Sequence, residues 1–220
     1  MSSITDNLNR IKKTLSSGTK LLAVSKTRPS SDIKLACEAG QQDFGENKVQ
    51  DLLQKSFELQ ELDIRWHFIG HLQSNKINQL LKTHGLVSIH SIDSINLLNK
   101  LLTKNPATNI GIFLQVNTSG ETEKSGFSAY EELEEAVELV KNSERFHLQG
   151  LMTIGKIRTE NFEKDARECF SRLKELKIKL DKSQDLNLEL SMGMSQDYEI
   201  AQEFGTNWVR IGTDIFGKRL

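Results

Sequence analysis

Along the chain, short apolar runs alternate with longer segments in which apolar residues recur three or four positions apart. The short runs fall at residues 21–25, 43–45 (the weakest), 66–69, 86–90, 110–116, 148–152, 188–192 and 208–212, eight in all. Runs of this length read as strands of a parallel sheet, covered on both faces. Between them, residues 131–141 set Leu133, Val137 and Val140 against a ladder of glutamates, and residues 161–181 step through Phe162, Ala166, Phe170, Leu173, Leu176 and Leu180. Both patterns predict amphipathic helices. A further helix over residues 4–15 precedes the first strand. Strand and helix in alternation mean βαβ units. Eight of them in roughly 200 residues meet the count and the lower size limit of a (β/α)8 barrel. The expectation is one α/β domain spanning residues 1–220, a TIM barrel with an extra N-terminal helix. An open, doubly wound sheet is the alternative.

Composition narrows the function classes. Lys plus Arg is 29 against 30 for Asp plus Glu, a net charge of −1, which gives no general attraction to nucleic acid or an anionic membrane. No apolar run approaches the 20 or so residues of a membrane span. The first residues carry no basic stretch followed by an apolar one, so the chain reads as cytoplasmic. Cys37 and Cys169 lie in helical surroundings without CxxC or Cys/His spacing, as packing thiols in a reducing compartment do.

The reacting groups of a barrel sit at the C-terminal ends of its strands, and polar residues gather there. Strand one ends in Ser25-Lys26-Thr27, strand two in Gly45-Glu46-Asn47, strand six in Met152-Thr153. Strand seven supplies Ser191 to Ser195, and strand eight supplies Arg210-Ile211-Gly212-Thr213. Taken by itself, Lys26 is more simply a solvent-pointing lysine. At a barrel mouth, however, a neutral lysine amine can form a Schiff base with a carbonyl. The small residues after strands seven and eight suit a phosphate, and Arg210 adds a fixed cation beside them. A phosphorylated aldehyde held opposite Lys26 fits this set. Pyridoxal phosphate and the sugar-phosphate substrate of a lysine-dependent aldolase fit it equally.

Other signals are weaker. His67 and His71 stand four apart but flank a strand and its loop, and no HExxH accompanies them, so no metal site is expected. Met192 and Met194 read as packing residues, and Glu131 to Glu135 as a solvated first turn. GxGxxG, Walker A and GxSxG patterns are absent.

The segments Ala23-Val24-Ser25-Lys26-Thr27, Phe44-Gly45-Glu46-Asn47, His67-Phe68-Ile69-Gly70 and Leu72-Gln73-Ser74-Asn75-Lys76 occur in order. Leu151-Met152-Thr153, Leu190 to Ser195, and Arg210-Ile211-Gly212-Thr213 with Ile215-Phe216-Gly217 complete the series. With these the chain resembles the pyridoxal phosphate homeostasis protein family, related to the N-terminal domain of alanine racemase. The resemblance runs from about Leu21 to the C-terminus. It implies a barrel that binds pyridoxal 5'-phosphate as a Schiff base on Lys26. Asn47 is then near the ring, and Met152 and Thr153 line the pocket. Ser191, Gly212 and Thr213 hold the phosphate, and Arg210 serves the ring nitrogen. An arginine there weakens the ring as an electron sink, which points to a non-enzymatic role in the homeostasis of vitamin B6 and amino-acid balance. A weak racemase is the alternative.

Length agrees with the non-enzymatic role. No second, β-rich domain follows the eighth unit before Leu220, and both tyrosines, Tyr130 and Tyr198, fall in helical segments. The expected partners are pyridoxal phosphate and B6-dependent apo-enzymes, the expected state a monomer. Two positions depart from the family pattern: Arg28 stands where a second lysine is common, and Lys48 where tyrosine is frequent. Lys124 matches a family loop and either relays the cofactor or, more simply, is a surface lysine.

Overall fold

The computed structural model describes residues 3–121, 123–156 and 159–217. Its first helix, α1 (Ile4–Thr14), starts where Ser3 and Asp6 cap each other's backbone N–H groups, and it buries Leu8 and Ile11. Reciprocal capping of this kind satisfies two of the donors left over at a helix start. The strands are β1 (Lys20–Val24), β2 (Asp43–Glu46), β3 (Arg65–Phe68), β4 (Leu86–Ile92), β5 (Ile110–Gln115), β6 (Phe146–Met152), β7 (Glu189–Met194) and β8 (Trp208–Ile211). They pair in sequence order, all parallel, and β8 returns to β1 with Leu21 opposite Val209 and Leu22 opposite Arg210. The sheet therefore closes, and the open-sheet alternative falls.

The connecting helices are α2 (Ser30–Glu38), α3 (Val49–Glu58), α4 (Ile77–Leu80), α5 (Ile95–Leu102), α6 (Tyr130–Lys141), α7 (Phe162–Gln184), α8 (Tyr198–Glu203) and α9 (Thr213–Phe216). A 3-10 turn, Ser74–Lys76, leads into α4. None of the helices among the described residues is long and apolar enough to cross a membrane.

Successive residues of a strand face opposite sides of the sheet. Leu21, Ala23, Val209 and Ile211 belong to the large apolar layer between sheet and helices, which includes Leu52, Leu133 and Leu173 from the helices. The intervening Leu22 and Trp208 join Phe113 and Met152 in a small separate cluster inside the barrel. Strand boundaries deviate from the sequence pattern in one place that matters for function. β7 runs on to Met194, two residues beyond the expected end, and its pairing with β8 slips between Ser191 and Met194. Gly193 lies at that irregularity with φ +92°, and a Cβ there would come within 2.7 Å of the Ala201 side chain. A bulge beside a strand end re-aims the residues that follow it.

Candidate cofactor site

A cavity of about 540 Å³ opens at the C-terminal ends of the strands. Of the residues singled out in the sequence, Lys26, Asn47, Arg210, Gly212 and Thr213 line it, and Ser195 joins them. Met152, Thr153 and Ser191 lie outside that lining, at no more than 1% exposure. Ser191, expected to hold a phosphate, is thus not among the residues that line the cavity. With β7 longer than expected, Ser191 is a mid-strand residue in the barrel interior, and Ser195 is the serine that reaches the cavity.

Lys26 stands two residues beyond the end of β1 and is half-buried. The turn after it is strained: Thr27 has φ +66°, a conformation rare for a β-branched residue and typical of sites where neighbouring structure imposes it. A buried cluster lies just before it in the chain, at Ser25. Lys55 of α3 reaches Glu46 Oε1 at 2.5 Å and donates to the Ser25 carbonyl at 2.9 Å. The Ser25 hydroxyl donates to the same Glu46 oxygen at 2.8 Å. Glu46 is fully buried, and its Oε2 has no hydrogen-bond partner among the described residues. The ends of β1 and β2, which carry Lys26 and Asn47, are thus tied together by a charged knot set into the apolar layer. Next to it β3 hands on to Gly70, where a Cβ would sit 2.0 Å from the Asn47 carbonyl oxygen. Only glycine permits this approach.

On the neighbouring strand β8, whose Arg210 pairs with Leu22 of β1, stands Arg210 itself, 5% exposed. Its Nη1 donates to Ser191 Oγ at 2.9 Å and its Nη2 to the Thr153 carbonyl at 2.8 Å. Thr153 is itself fixed, its hydroxyl donating to the Val116 carbonyl at 2.9 Å. No salt bridge to Arg210 occurs among the described residues. Burial pushes the guanidinium down to about 10, with the Asp197 charge acting the other way. Asp197 is in turn raised above the usual carboxylate range by burial, although the Met194 N–H and Arg210 oppose that. A buried cation without a contacting carboxylate is costly and is well placed to meet an anionic or acceptor ligand.

Of the remaining candidates, Arg28 and His71 also line the cavity, and the others fall elsewhere. His71 is exposed beside Asp93 at 3.4 Å, whereas His67 points into the barrel toward Asp43 at 3.1 Å, so the two histidines share no site. Among the described residues no group of His, Cys, Asp and Glu is arranged to hold a metal. Lys48 is exposed, and Arg28 bonds the Gly217 carbonyl. Lys124 donates to the Gly155 carbonyl at 3.3 Å and pairs with Glu121; Thr122 of that loop, like Leu220, lies outside the described residues. The residues that sequence reasoning missed are His67, Ser88 and His90, buried polar groups at inward strand positions. For two of them a signal was present: His67 lies between Trp66 and Phe68, and Ser88 between Val87 and Ile89, whereas His90 is followed by Ser91.

The family model for the N-terminal domain of alanine racemase matches residues 1–219. The pyridoxal phosphate homeostasis protein of Pseudomonas aeruginosa is 43% identical over 90% of this chain and 84% of its own. The chain belongs to the pyridoxal phosphate homeostasis protein family. The human family member is 37% identical, over 91% of this chain and 76% of its own. Among solved structures, PipY of Synechococcus elongatus with pyridoxal phosphate bound is 31% identical and superimposes with a TM-score of 0.88, covering 98% of this chain and all 100% of PipY. Alanine racemase of Clostridium difficile, 18% identical with a TM-score of 0.81, shares the barrel over 57% of its length. At that identity the likeness is one of fold.

Proposed function

We propose that this protein holds pyridoxal phosphate reversibly on Lys26 and serves as a cytoplasmic carrier that keeps the cofactor and amino-acid balance in hand, without being an enzyme. The observation that carries this reading is that Lys26 and a buried Arg210, which makes no salt bridge among the described residues, line one cavity. The donor set fits the group. Lys26 supplies the amine, the turns containing Ser195 and Gly212-Thr213 supply hydroxyls and backbone near the phosphate, and Arg210 is the cation for the ring nitrogen. When bound, the cofactor supplies an aldehyde that condenses with amines and a ring able to draw electrons from them.

The chain's own residues restrain that chemistry. A guanidinium keeps its protons, so Arg210 leaves the ring nitrogen without one and the electron sink is weak. Asn47 is held by the Gly70 approach, and Met152 packs with Leu22, Phe113 and Trp208 beneath the cavity. None of the described lining residues is a tyrosine. Tyr198 bonds Thr14 at 3.1 Å, and Tyr130 meets Ser183 at 3.2 Å, so neither serves as a second base. Competing nucleophiles are quiet: burial, with help from Glu38, pushes the Cys37 thiol up to about 11, and Cys169 is buried.

The test is an absorption spectrum with pyridoxal phosphate, followed by borohydride reduction and peptide mass mapping. A yellow band and a reduced label on Lys26 are expected. No band, or a label scattered over surface lysines, overturns the reading. Exchange of the alanine α-hydrogen with solvent, lost in Lys26→Ala, would instead establish a racemase. The carrier role further predicts a monomer by sedimentation and transfer to a B6-dependent apo-enzyme faster than free cofactor supplies it.

A further inference from the structure

Layers of branched apolar side chains ordinarily fill the interior of a (β/α)8 barrel. Here a file of buried polar groups crosses it. Starting below the cavity, Arg210 Nη1 lies 2.9 Å from Ser191 Oγ, which lies 2.9 Å from His90 Nδ1. His90 Nε2 is 2.9 Å from Ser88 Oγ and 3.1 Å from His67 Nδ1, and Ser88 Oγ is 2.6 Å from that same His67 nitrogen. His67 Nε2 then meets Asp43 Oδ1 at 3.1 Å, and Asp43 takes a two-pronged contact from Arg65 at 2.7 and 2.6 Å. His90 stacks on Phe113 with ring centres 4.1 Å apart, and His67 leans on Trp208 at 4.9 Å, so neither ring is free to turn.

The two ends dictate the direction of every proton between them. A guanidinium only donates, so Ser191 Oγ accepts from Arg210 and gives its own proton to His90 Nδ1. Burial, reinforced by His67 and Arg210, holds His90 well below its ordinary range and therefore neutral. Its single proton is then on Nε2, facing Ser88 and His67. At the far end, burial lowers His67 against the pull of Asp43. The Asp43 carboxylate only accepts, so His67 donates to it from Nε2 and accepts at Nδ1 from Ser88. No donor faces a donor anywhere along the file.

We propose that Ser191, His90, Ser88, His67 and Asp43 form a one-way hydrogen-bond relay that orients the Arg210 guanidinium toward the cavity, making Asp43, at the opposite end of the barrel, a positioning residue of the cofactor site. What the guanidinium is oriented toward rests on the pyridoxal phosphate reading; the direction of the relay does not.

The first test is 15N NMR of histidine-labelled protein without cofactor at pH 7. Both His67 and His90 are expected as neutral Nε2–H tautomers. An Nδ1–H tautomer or an imidazolium at either position overturns the relay, and this arm needs no variant. The second test is Asp43→Asn, whose amide can present a donor to His67. The His90 nitrogen signals should change, the absorption maximum of the cofactor-loaded protein should shift, and pyridoxal phosphate should bind about 5–10-fold more weakly, a typical coupling between linked sites. Affinity and spectrum equal to wild type overturn the positioning role. Borohydride mapping on the same samples separates the two readings. A labelled Lys26 with the wrong tautomers sinks the relay alone, and an unlabelled Lys26 in wild type with the expected tautomers sinks the pyridoxal phosphate reading alone.

Discussion

The two faces of the one sheet are built to different rules. The outward face meets the helices through a continuous apolar layer, in which Phe44, Ile89, Leu190 and Val209 are almost wholly buried. Among the described residues the inward face gathers Leu22, Phe113, Met152 and Trp208 in a small buried apolar cluster, and it also carries His67, Ser88, His90, Ser191 and Arg210. Because strand residues alternate, the same few residues of each strand write both. The outer set provides the driving force for folding; the inner set gives up some of it to hold one cation in a dry place. Mutations on the two faces should therefore separate stability from cofactor binding.

The largest effect is expected outside. Phe44, fully buried and 5.9 Å from the Trp66 ring, should cost about 4 kcal/mol when cut to Ala. Urea unfolding would show this, while protein that remains folded still labels at Lys26. The charged knot is the exception that breaks the simple contrast, since Glu46 and Lys55 sit among the apolar residues. Lys55→Met strands a buried carboxylate and should cost about 3 kcal/mol. Adding Glu46→Gln should recover most of that; no recovery would mean that Lys55 acts through packing.

At the inner end, Asp43 gives a pH signature. Burial raises its pKa, but the bonds from Arg65 and His67 more than reverse this and hold it at about 2. A carboxylate depressed in the folded state stabilises above its unfolded pKa, and that contribution is lost as pH falls through the folded one. Wild type should therefore lose about 2 kcal/mol between pH 4 and pH 2 that Asp43→Asn does not lose, as urea midpoints across that range would show. Equal slopes would count against the contact. The smallest change in stability is expected for Arg210→Met. Removing a buried cation with no contacting carboxylate should leave the unfolding free energy within about 1 kcal/mol of wild type. Cofactor titration of the same protein should show binding largely lost.

The outer face was legible because its signal is local. Apolar runs and helical spacing each reside in a few neighbouring residues, and eight strands in order left few ways to close. The cavity was half legible: Lys26, Asn47, Arg210, Gly212 and Thr213 stand just past or at strand ends, where a barrel puts its chemistry. Ser191 stands within β7 because that strand continues through a bulge, and strand ends are the least certain feature of a short apolar run. The relay was invisible for a different reason. His90 and Ser191 belong to β4 and β7, which are not neighbours in the sheet, and only closure brings them to 2.9 Å. Trp66-His67-Phe68 and Val209-Arg210-Ile211 show a polar residue between apolar ones, yet nothing in either triplet names its partner.

The pairing of β8 with β1 also imposes a timetable. α1 is tied to the end of the chain, Asn7 donating to the Ile215 carbonyl at 3.0 Å and Arg10 to that of Asp214 at 3.4 Å. Lys26 leaves the ribosome well before Arg210, Gly212 and Thr213, which lie on the eighth strand and just after it. At ordinary translation speeds the interval is about 10–40 s, during which Lys26 has no opposing wall and no phosphate turn. On the proposed function, the newborn chain is an empty vessel throughout synthesis. It should acquire its yellow band only once the eighth strand has been released, and a nascent chain stalled before Trp208 should show none.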